Sequence, residues 1–64
     1  MSTYQERLLV EKQELDEKLT KLNSFLITDT FTGLSLVNQD LMKRQAFVMK
    51  EYSDILQTRA YVKP

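Results

Sequence analysis

A heptad pattern that changes character along the chain is the feature that most constrains the fold. In the first half, leucines recur at alternating spacings of four and three residues, at Leu15, Leu19, Leu22 and Leu26. In the second half, aliphatic residues recur every seven positions, at Leu41, Val48 and Ile55. Spacings of this kind align side chains along one side of a helix. The pattern therefore predicts two long helices that pack along apolar stripes as an antiparallel hairpin.

The positions of glycine and proline predict where the helices begin and end. Gly33 and Pro64 are the only residues of their types, so neither interrupts residues 4–27 or 36–62. We predict one all-α domain over residues 1–64, with a helix over about 4–27, a turn over about 28–35 and a helix over about 36–61. Ser2 or Thr3 is expected to cap the first helix and Ser35 the second. Within the turn, Asp29 or Thr30 is expected to cap a short helical segment that Gly33 ends in a left-handed conformation.

The two ends of the predicted hairpin differ in chemistry. The apolar side chains of the turn region are expected to close one end; they are Phe25, Ile27, Phe31, Leu34 and Leu36. Towards the chain termini the same stripes carry polar and charged residues, namely Gln5, Lys12, Gln45, Tyr52 and Arg59. The sequence therefore predicts an apolar closed end and a polar, hydrogen-bonding open end.

The small size of the chain favours self-assembly. A chain of 64 residues buries a small fraction of its surface and is marginally stable alone. With neither Cys nor His, it has no disulfide and no usual zinc site. The second helix offers a further apolar row at Met42, Met49 and Leu56, with Phe47 outside both rows. Two apolar faces on one helix indicate more than one packing partner, so we predict a homo-oligomeric helical bundle.

Composition also narrows the classes of function. Nine basic and nine acidic residues cancel, so bulk charge does not favour a nucleic-acid polymer or an anionic membrane. No apolar run is long enough for a transmembrane helix, and Met1–Tyr4 lacks the features of a signal peptide. Without His, Cys or a serine in a nucleophile context, we expect no enzyme activity and no cofactor.

The antiparallel arrangement predicts a cluster of aromatic and cationic side chains at the open end. The candidate ligand-binding residues are Tyr4, Arg7, Lys12, Tyr52 and Arg59, with Gln5, Glu11 and Lys63 nearby. Tyrosine rings stack on bases, and guanidinium groups bind phosphate through paired hydrogen bonds. Such a cluster is a plausible site for a nucleotide phosphate, and a second copy would contribute the same set.

Each of these residues also has a structural interpretation. Tyr52 can be a core aromatic, and Gln45 can fix the register of the helices. Arg59 or Arg7 can pair with Glu11, and Lys12 can pair with Asp54 because a charge on an apolar seam needs a partner.

A set of motifs extends over nearly the whole chain: Tyr4-Gln5-Glu6-Arg7, then Glu11, Glu14-Leu15-x-x-Lys18-Leu19-x-Lys21-Leu22 and Phe25, and finally Met49-Lys50-Glu51-Tyr52-Ser53-x-Ile55-Leu56-x-x-Arg59. In these residues, and most specifically from Met49 to Leu56, the chain resembles a family of very short proteins of tailed phages and prophages, labelled as relatives of a crAss-like phage protein. Residues 28–35 differ from the linker of that family, which is more charged. This difference affects the expected geometry of the loop and not the expectation of a hairpin. Sequestin-like proteins, which sequester nucleotide immune messengers, are similar compact phage proteins.

The resemblance implies a phage origin and action in the host cytoplasm, and three functions remain open. The first is a counter-defence protein that sequesters a cyclic or other signalling nucleotide at an oligomer interface. The second is an inhibitor or adaptor that binds a host defence protein through Phe47 and the second apolar stripe. The third is a structural coiled-coil component.

Overall fold

The fold is an antiparallel pair of long helices joined by one short helical turn. The computed structural model describes residues 3–62 and contains α1 (Thr3–Leu26), α2 (Asp29–Thr32) and α3 (Leu36–Tyr61), with no strand in that range. The all-α class is as predicted, and the long helices lie within one residue of the expected limits. Ser2 and Lys63 lie outside the described residues.

Side-chain caps define the turn between the long helices. The Thr28 hydroxyl accepts from the Phe31 amide at 3.2 Å, which makes Thr28, rather than Asp29 or Thr30, the cap of α2. Ser35 caps α3 as predicted, because its hydroxyl accepts from the Asn38 amide at 3.2 Å. Gly33 has φ −77° and not the left-handed conformation expected from sequence. The Gly33 amide reaches the Asp29 carbonyl at 3.0 Å, so an ordinary right-handed turn ends α2.

The closed end of the hairpin is organised around one buried aromatic ring. Phe31 is 3% exposed and meets Phe25 edge to face, with ring centroids 6.1 Å apart. The Lys43 ammonium lies 5.9 Å from the Phe31 ring centroid. The prediction that Ile27 and Leu36 also close this end is wrong, since both are more than four-fifths exposed. Phe31, with the partly buried Phe25, Leu26 and Leu34, fills the space at this end of the hairpin.

The contact between α1 and α3 uses a different row of α3 from the one that the sequence favoured. On α1 the partly or fully buried positions include the whole predicted heptad, which is Gln5, Leu8, Lys12, Leu15, Leu19, Leu22 and Leu26, together with Tyr4, Asp16 and Phe25. On α3 they are Gln39, Met42, Ala46, Met49, Ser53, Leu56 and Ala60. The predicted row Leu41, Val48 and Ile55 is instead 52–61% exposed. The chosen row interleaves small residues with long ones, and small side chains at the contact let two helices approach closely.

The main buried cluster lies near the open end, which is therefore not purely polar. Leu8, Leu56 and Ala60 form it, and Tyr4 and Leu15 pack against it. Among the described residues only these three and Phe31 are buried apolar side chains. The molecule measures 47 × 15 × 11 Å, with a radius of gyration of 14.7 Å, whereas a compact chain of this length has about 11 Å. An elongated hairpin of this kind leaves most of its apolar surface without cover.

Candidate functional site

One flank of the open end brings together aromatic and charged residues from both long helices. An Arg59 Nη donates to the Tyr4 hydroxyl at 3.4 Å, and the Tyr52 hydroxyl donates to the Glu11 carboxylate. These two cross-helix pairs are one heptad apart on each helix, so they lie one above the other along the hairpin. Three of the five predicted site residues, Tyr4, Tyr52 and Arg59, therefore share one flank.

The Arg59 side chain has one hydrogen bond within residues 3–62, the bond to Tyr4. Its bond to Tyr4 is long, and in the described part of the chain it forms no ion pair with Glu11. A guanidinium has five N–H donors, and the contacts in this range use one of them. The alternative in which Arg59 serves as a structural partner of Glu11 is not what the structure contains, because Glu11 is bonded to Tyr52 instead.

The hydrogen bond to Glu11 also changes the acidity of Tyr52. A carboxylate that accepts the phenolic proton favours the neutral form, so this bond, with a smaller effect of burial, raises the pKa of Tyr52. Tyr52 as a whole residue remains 42% exposed, which contradicts its interpretation as a core aromatic. An exposed ring held at its hydroxyl end is positioned to stack against a planar group.

Lys12 has a structural contact that sequence did not identify. Its ammonium lies 2.6 Å from an Asp16 carboxylate oxygen and donates to the Ser53 hydroxyl at 3.1 Å. The Ser53 hydroxyl in turn donates to the other Asp16 oxygen. Asp54, the partner considered from sequence, is paired with Lys50 at 2.7 Å. Lys12, Asp16 and Ser53 thus form a closed polar triad that links α1 to α3 on the flank opposite Tyr52.

The triad is the polar device that fixes the register of the hairpin. Ser53 is 2% exposed, so its hydroxyl needs partners, and Lys12 and Asp16 supply them. The hydrogen bonds from Lys12 and Ser53 lower the pKa of Asp16. Gln45, which was a candidate for this role, is exposed and reaches only the Met49 sulfur. The sequence feature that could have identified Ser53 as part of the contact with α1 is its place in one heptad row with Ala46 and Ala60.

Arg7 is exposed on α1, and its side chain forms no hydrogen bond or ion pair with any residue from 3 to 62. It lies one turn from both Tyr4 and Glu11, on the flank that carries Tyr52 and Arg59. The structure therefore leaves Arg7 as an uncommitted cation at the edge of the candidate site.

A shallow groove of about 290 Å³ adjoins Arg59 on the exposed side of α3. Its lining residues are Glu51, Asp54, Ile55, Thr58 and Arg59, all from one helix. Asp54 is neutralised by Lys50, but Glu51 has no ion-pair partner in the described range. Within residues 3–62, this groove therefore has one guanidinium and one carboxylate, those of Arg59 and Glu51, that form no ion pair.

Comparison with known proteins identifies the family. The Sequestin family model matches residues 2–61, which is nearly the whole chain. The chain belongs to the Sequestin family. A relative of this Sequestin chain is an uncharacterised 7.5 kDa protein from the denB–rIIB intergenic region of Enterobacteria phage T4. The two are 36% identical over 59 residues, which cover 92% of each protein.

No solved structure matches the Sequestin chain. The predicted phage relationship is confirmed by the family match and the T4 relative. No helix over residues 3–62 is long and apolar enough to cross a membrane, and no group of residues in that range has the composition of a metal site.

Proposed function

We propose that this Sequestin-family protein is a phage counter-defence protein that sequesters a nucleotide immune messenger at an interface between copies of itself. The observation that carries the proposal is the exposed Arg59 guanidinium, which contacts Tyr4 by one long hydrogen bond and lies on the same flank as the exposed Tyr52 ring. Cations bind phosphate and rings stack on bases, so these residues supply both elements of nucleotide recognition. The family match, with the phage relative, supports an anti-defence role.

Sequestration requires binding and no chemistry on the bound nucleotide. The candidate flank has no His or Cys, and its carboxylate Glu11 is occupied by the Tyr52 hydroxyl. We therefore propose that the protein is not an enzyme and that it lowers the free concentration of the messenger by mass action.

Native mass spectrometry with a panel of cyclic and linear nucleotides tests the proposal directly. We expect an oligomer that retains nucleotide in a fixed ratio to its subunits. An oligomer that retains no nucleotide from the panel at micromolar protein would refute sequestration.

Arg59→Ala tests the assignment of the site. We expect nucleotide binding to weaken by about 1.5–3 kcal/mol, the usual contribution of a hydrogen bond to a charged group. Helicity and oligomer size are expected to stay unchanged, because Arg59 is exposed and its contact with Tyr4 is long. Calorimetric titration measures the binding, and Lys21→Ala serves as the comparison for loss of an exposed cation elsewhere.

A second candidate function rests on Phe47. This ring is 66% exposed and lies on the side of α3 opposite the contact with α1. Exposed aromatic rings commonly anchor protein interfaces, so binding to a host defence protein through Phe47 is the alternative. A Phe47→Ala variant that loses protection of the phage but keeps nucleotide binding would favour this alternative.

A further inference from the structure

Two consecutive residues of α3 are held by two consecutive residues of α1. Tyr52 donates to the Glu11 carboxylate, and the next residue, Ser53, accepts from the Lys12 ammonium at 3.1 Å. Successive side chains of a helix point about 100° apart, so the two bonds lie on opposite sides of the contact between α1 and α3. We refer to these four residues as the clamp. Because its bonds lie on both sides, rotation of α3 about its axis in either direction lengthens one of them.

Hydrogen bonds of this kind define the rotation of α3 more sharply than the apolar contacts do. Burial of Leu56 and Ala60 holds the helices together, but the hydrophobic effect has no direction. In the described part of the chain, every other side-chain hydrogen bond between α1 and α3 involves Asp16 or is the long bond from Arg59 to Tyr4. The clamp and Asp16 are therefore the main directional link between the two helices.

The two sides of the clamp differ in burial. Ser53 is 2% exposed, and its hydroxyl contacts both Lys12 and Asp16. Tyr52 is 42% exposed and Glu11 is also exposed, so solvent competes for their hydrogen bond. Water replaces an exposed partner at little cost, whereas a buried hydroxyl without a partner is strongly disfavoured. The buried side of the clamp is therefore expected to determine the rotation of α3, and the exposed side to follow it.

A small rotation is enough to separate Tyr52 from Glu11. Side chains extend about 6 Å from a helix axis, so a rotation of about 20° moves their tips by about 2 Å. The distance range of a hydrogen bond is narrower than this, about 0.5 Å. α3 also has a second apolar row with the same seven-residue spacing, at Leu41, Val48 and Ile55. Rotation that turns this row towards α1 would take Tyr52 off its flank.

We propose that Lys12, Asp16 and Ser53 are positioning residues for Tyr52. Their hydrogen bonds hold α3 in the rotation that keeps the Tyr52 hydroxyl on Glu11 and the ring in place on the exposed flank. The three residues act on a bound nucleotide only through Tyr52. The positioning rests on the contacts between the helices, and its importance for binding rests on the proposed nucleotide function.

Ser53→Ala is the variant that tests the positioning. It removes the polar link between the helices without leaving a buried polar group unpaired, because Lys12 and Asp16 remain paired within α1 at 2.6 Å. Alanine also fits this row of α3, which already contains Ala46 and Ala60. We therefore expect the variant to stay helical, and circular dichroism measures this.

The titration of Tyr52 reports whether its contact with Glu11 survives. The bond to Glu11 raises the pKa of Tyr52, so we expect Ser53→Ala to lower that pKa towards its ordinary value. The measurement is ultraviolet absorbance in a Tyr4→Phe, Tyr61→Phe background, where Tyr52 is the sole tyrosine. An unchanged pKa of Tyr52 in the folded variant would overturn the proposal.

Two control variants separate positioning from a general loss of stability. Ser24→Ala removes an exposed hydroxyl of α1 that bonds to the Thr20 carbonyl of the same helix. Met42→Ala removes packing between the helices at the other end of α3. Both are expected to leave the pKa of Tyr52 unchanged, and an equal fall in Met42→Ala would overturn the proposal. If Ser53→Ala does not fold, Asp16→Asn weakens the same link from α1 and is expected to lower the pKa of Tyr52.

Nucleotide binding tests the consequence of the positioning. With cyclic di-AMP and AMP as the probes, we expect Ser53→Ala to weaken binding about three- to tenfold, because the nucleotide must then order the Tyr52 ring. In a Tyr52→Phe background there is no hydroxyl for Glu11 to hold, so the same substitution is expected to have no further effect. This comparison separates an action through Tyr52 from an action on the whole fold.

The outcomes distinguish this inference from the proposed function. If Ser53→Ala lowers the pKa of Tyr52 and leaves binding unchanged, or weakens binding equally with and without the Tyr52 hydroxyl, the role in binding is overturned while sequestration stands. If the pKa falls but the parent binds neither probe nor any nucleotide of the wider panel, the positioning of Tyr52 is supported and sequestration is refuted, together with the role in binding.

Discussion

Asp16 shows how much a single residue of this hairpin depends on its partners. Its carboxylate lies between the Lys12 ammonium and the Ser53 hydroxyl, at the only fully closed polar link between α1 and α3 in the described range. Removing one member leaves the buried Ser53 hydroxyl short of partners, which costs more than the bond itself contributes. The triad therefore acts as a unit.

The acid stability of the hairpin is expected to depend on Asp16. Hydrogen bonds from Lys12 and Ser53 lower the folded-state pKa of Asp16, so their stabilisation is present above the unfolded pKa of about 4 and is lost as pH falls through the folded pKa. We expect the melting temperature of the parent to fall on acidification below about pH 4. The melting temperature of Asp16→Asn, measured by circular dichroism, is expected to be lower than that of the parent at neutral pH. It is also expected to fall less than that of the parent as the pH is lowered. Glu17→Gln, on the exposed side of α1, is the control, and an identical acid profile in Asp16→Asn would contradict the assignment.

The bond between Tyr52 and Glu11 is expected to be visible in the titration of the tyrosine. Because this bond raises the folded-state pKa of Tyr52, its stabilisation is present below the unfolded pKa of about 10 and is lost as pH rises through the folded value. In a Tyr4→Phe, Tyr61→Phe background, where Tyr52 is the sole tyrosine, we expect Glu11→Gln to lower the pKa seen by ultraviolet absorbance. Glu14→Gln is the control. If Glu11→Gln leaves the pKa of Tyr52 unchanged, the bond does not form in solution.

At the scale of the element, α3 is distinguished by two neighbouring apolar rows with different partners. The inner row, which contains Leu56 and Ala60, packs on α1, whereas the outer row of Leu41, Val48 and Ile55 stays exposed. One helix thus carries both the core of the hairpin and its free apolar surface.

The inner row is expected to determine the stability of the hairpin. Leu56 is fully buried, so Leu56→Ala is expected to cost about 2–5 kcal/mol, a loss that abolishes folding in so small a unit. Leu36→Ala, at a position 82% exposed, is the matched control and is expected to stay folded. Urea unfolding followed by circular dichroism measures both, and equal midpoints would mean that the row facing α1 has been wrongly assigned.

At the scale of the whole molecule, the hairpin is too thin to enclose its apolar residues. It is one layer of two long helices, and Leu41, Val48 and Ile55 are 52–61% exposed, so nothing covers the outer row within one copy. Assembly would add a second layer of helices over that surface.

We therefore expect the melting temperature to rise with protein concentration, because unfolding would be coupled to dissociation. Val48→Lys is expected to remove this dependence and yield a less stable monomer, while Phe47→Lys retains it. Light scattering gives the mass of each variant alongside the melts. A parent that scatters as a 7.6 kDa monomer and melts at one temperature at all concentrations would refute self-assembly.

The sequence by itself determined the two long helices, their approximate limits and the seam of α1. A heptad pattern without internal glycine or proline is compatible with long helices and not with strands. The Ser35 cap marks the start of α3 independently. It also placed Tyr4, Tyr52 and Arg59 at the same end, because an antiparallel hairpin with a short turn brings the chain termini together.

Only the tertiary structure decided which row of α3 faces α1. Two adjacent rows with the same seven-residue spacing are equivalent by periodicity, so the choice depends on the rotation of the helix about its axis. Small side chains at Ala46 and Ala60 and the bonds of Ser53 to Lys12 and Asp16 favour the inner row. That rotation exposes Leu41, Val48 and Ile55 and turns Lys12 into a structural residue. The rotation depends on contacts between residues about forty positions apart, such as Lys12 and Ser53. A pattern of residues that are close in sequence does not indicate such contacts.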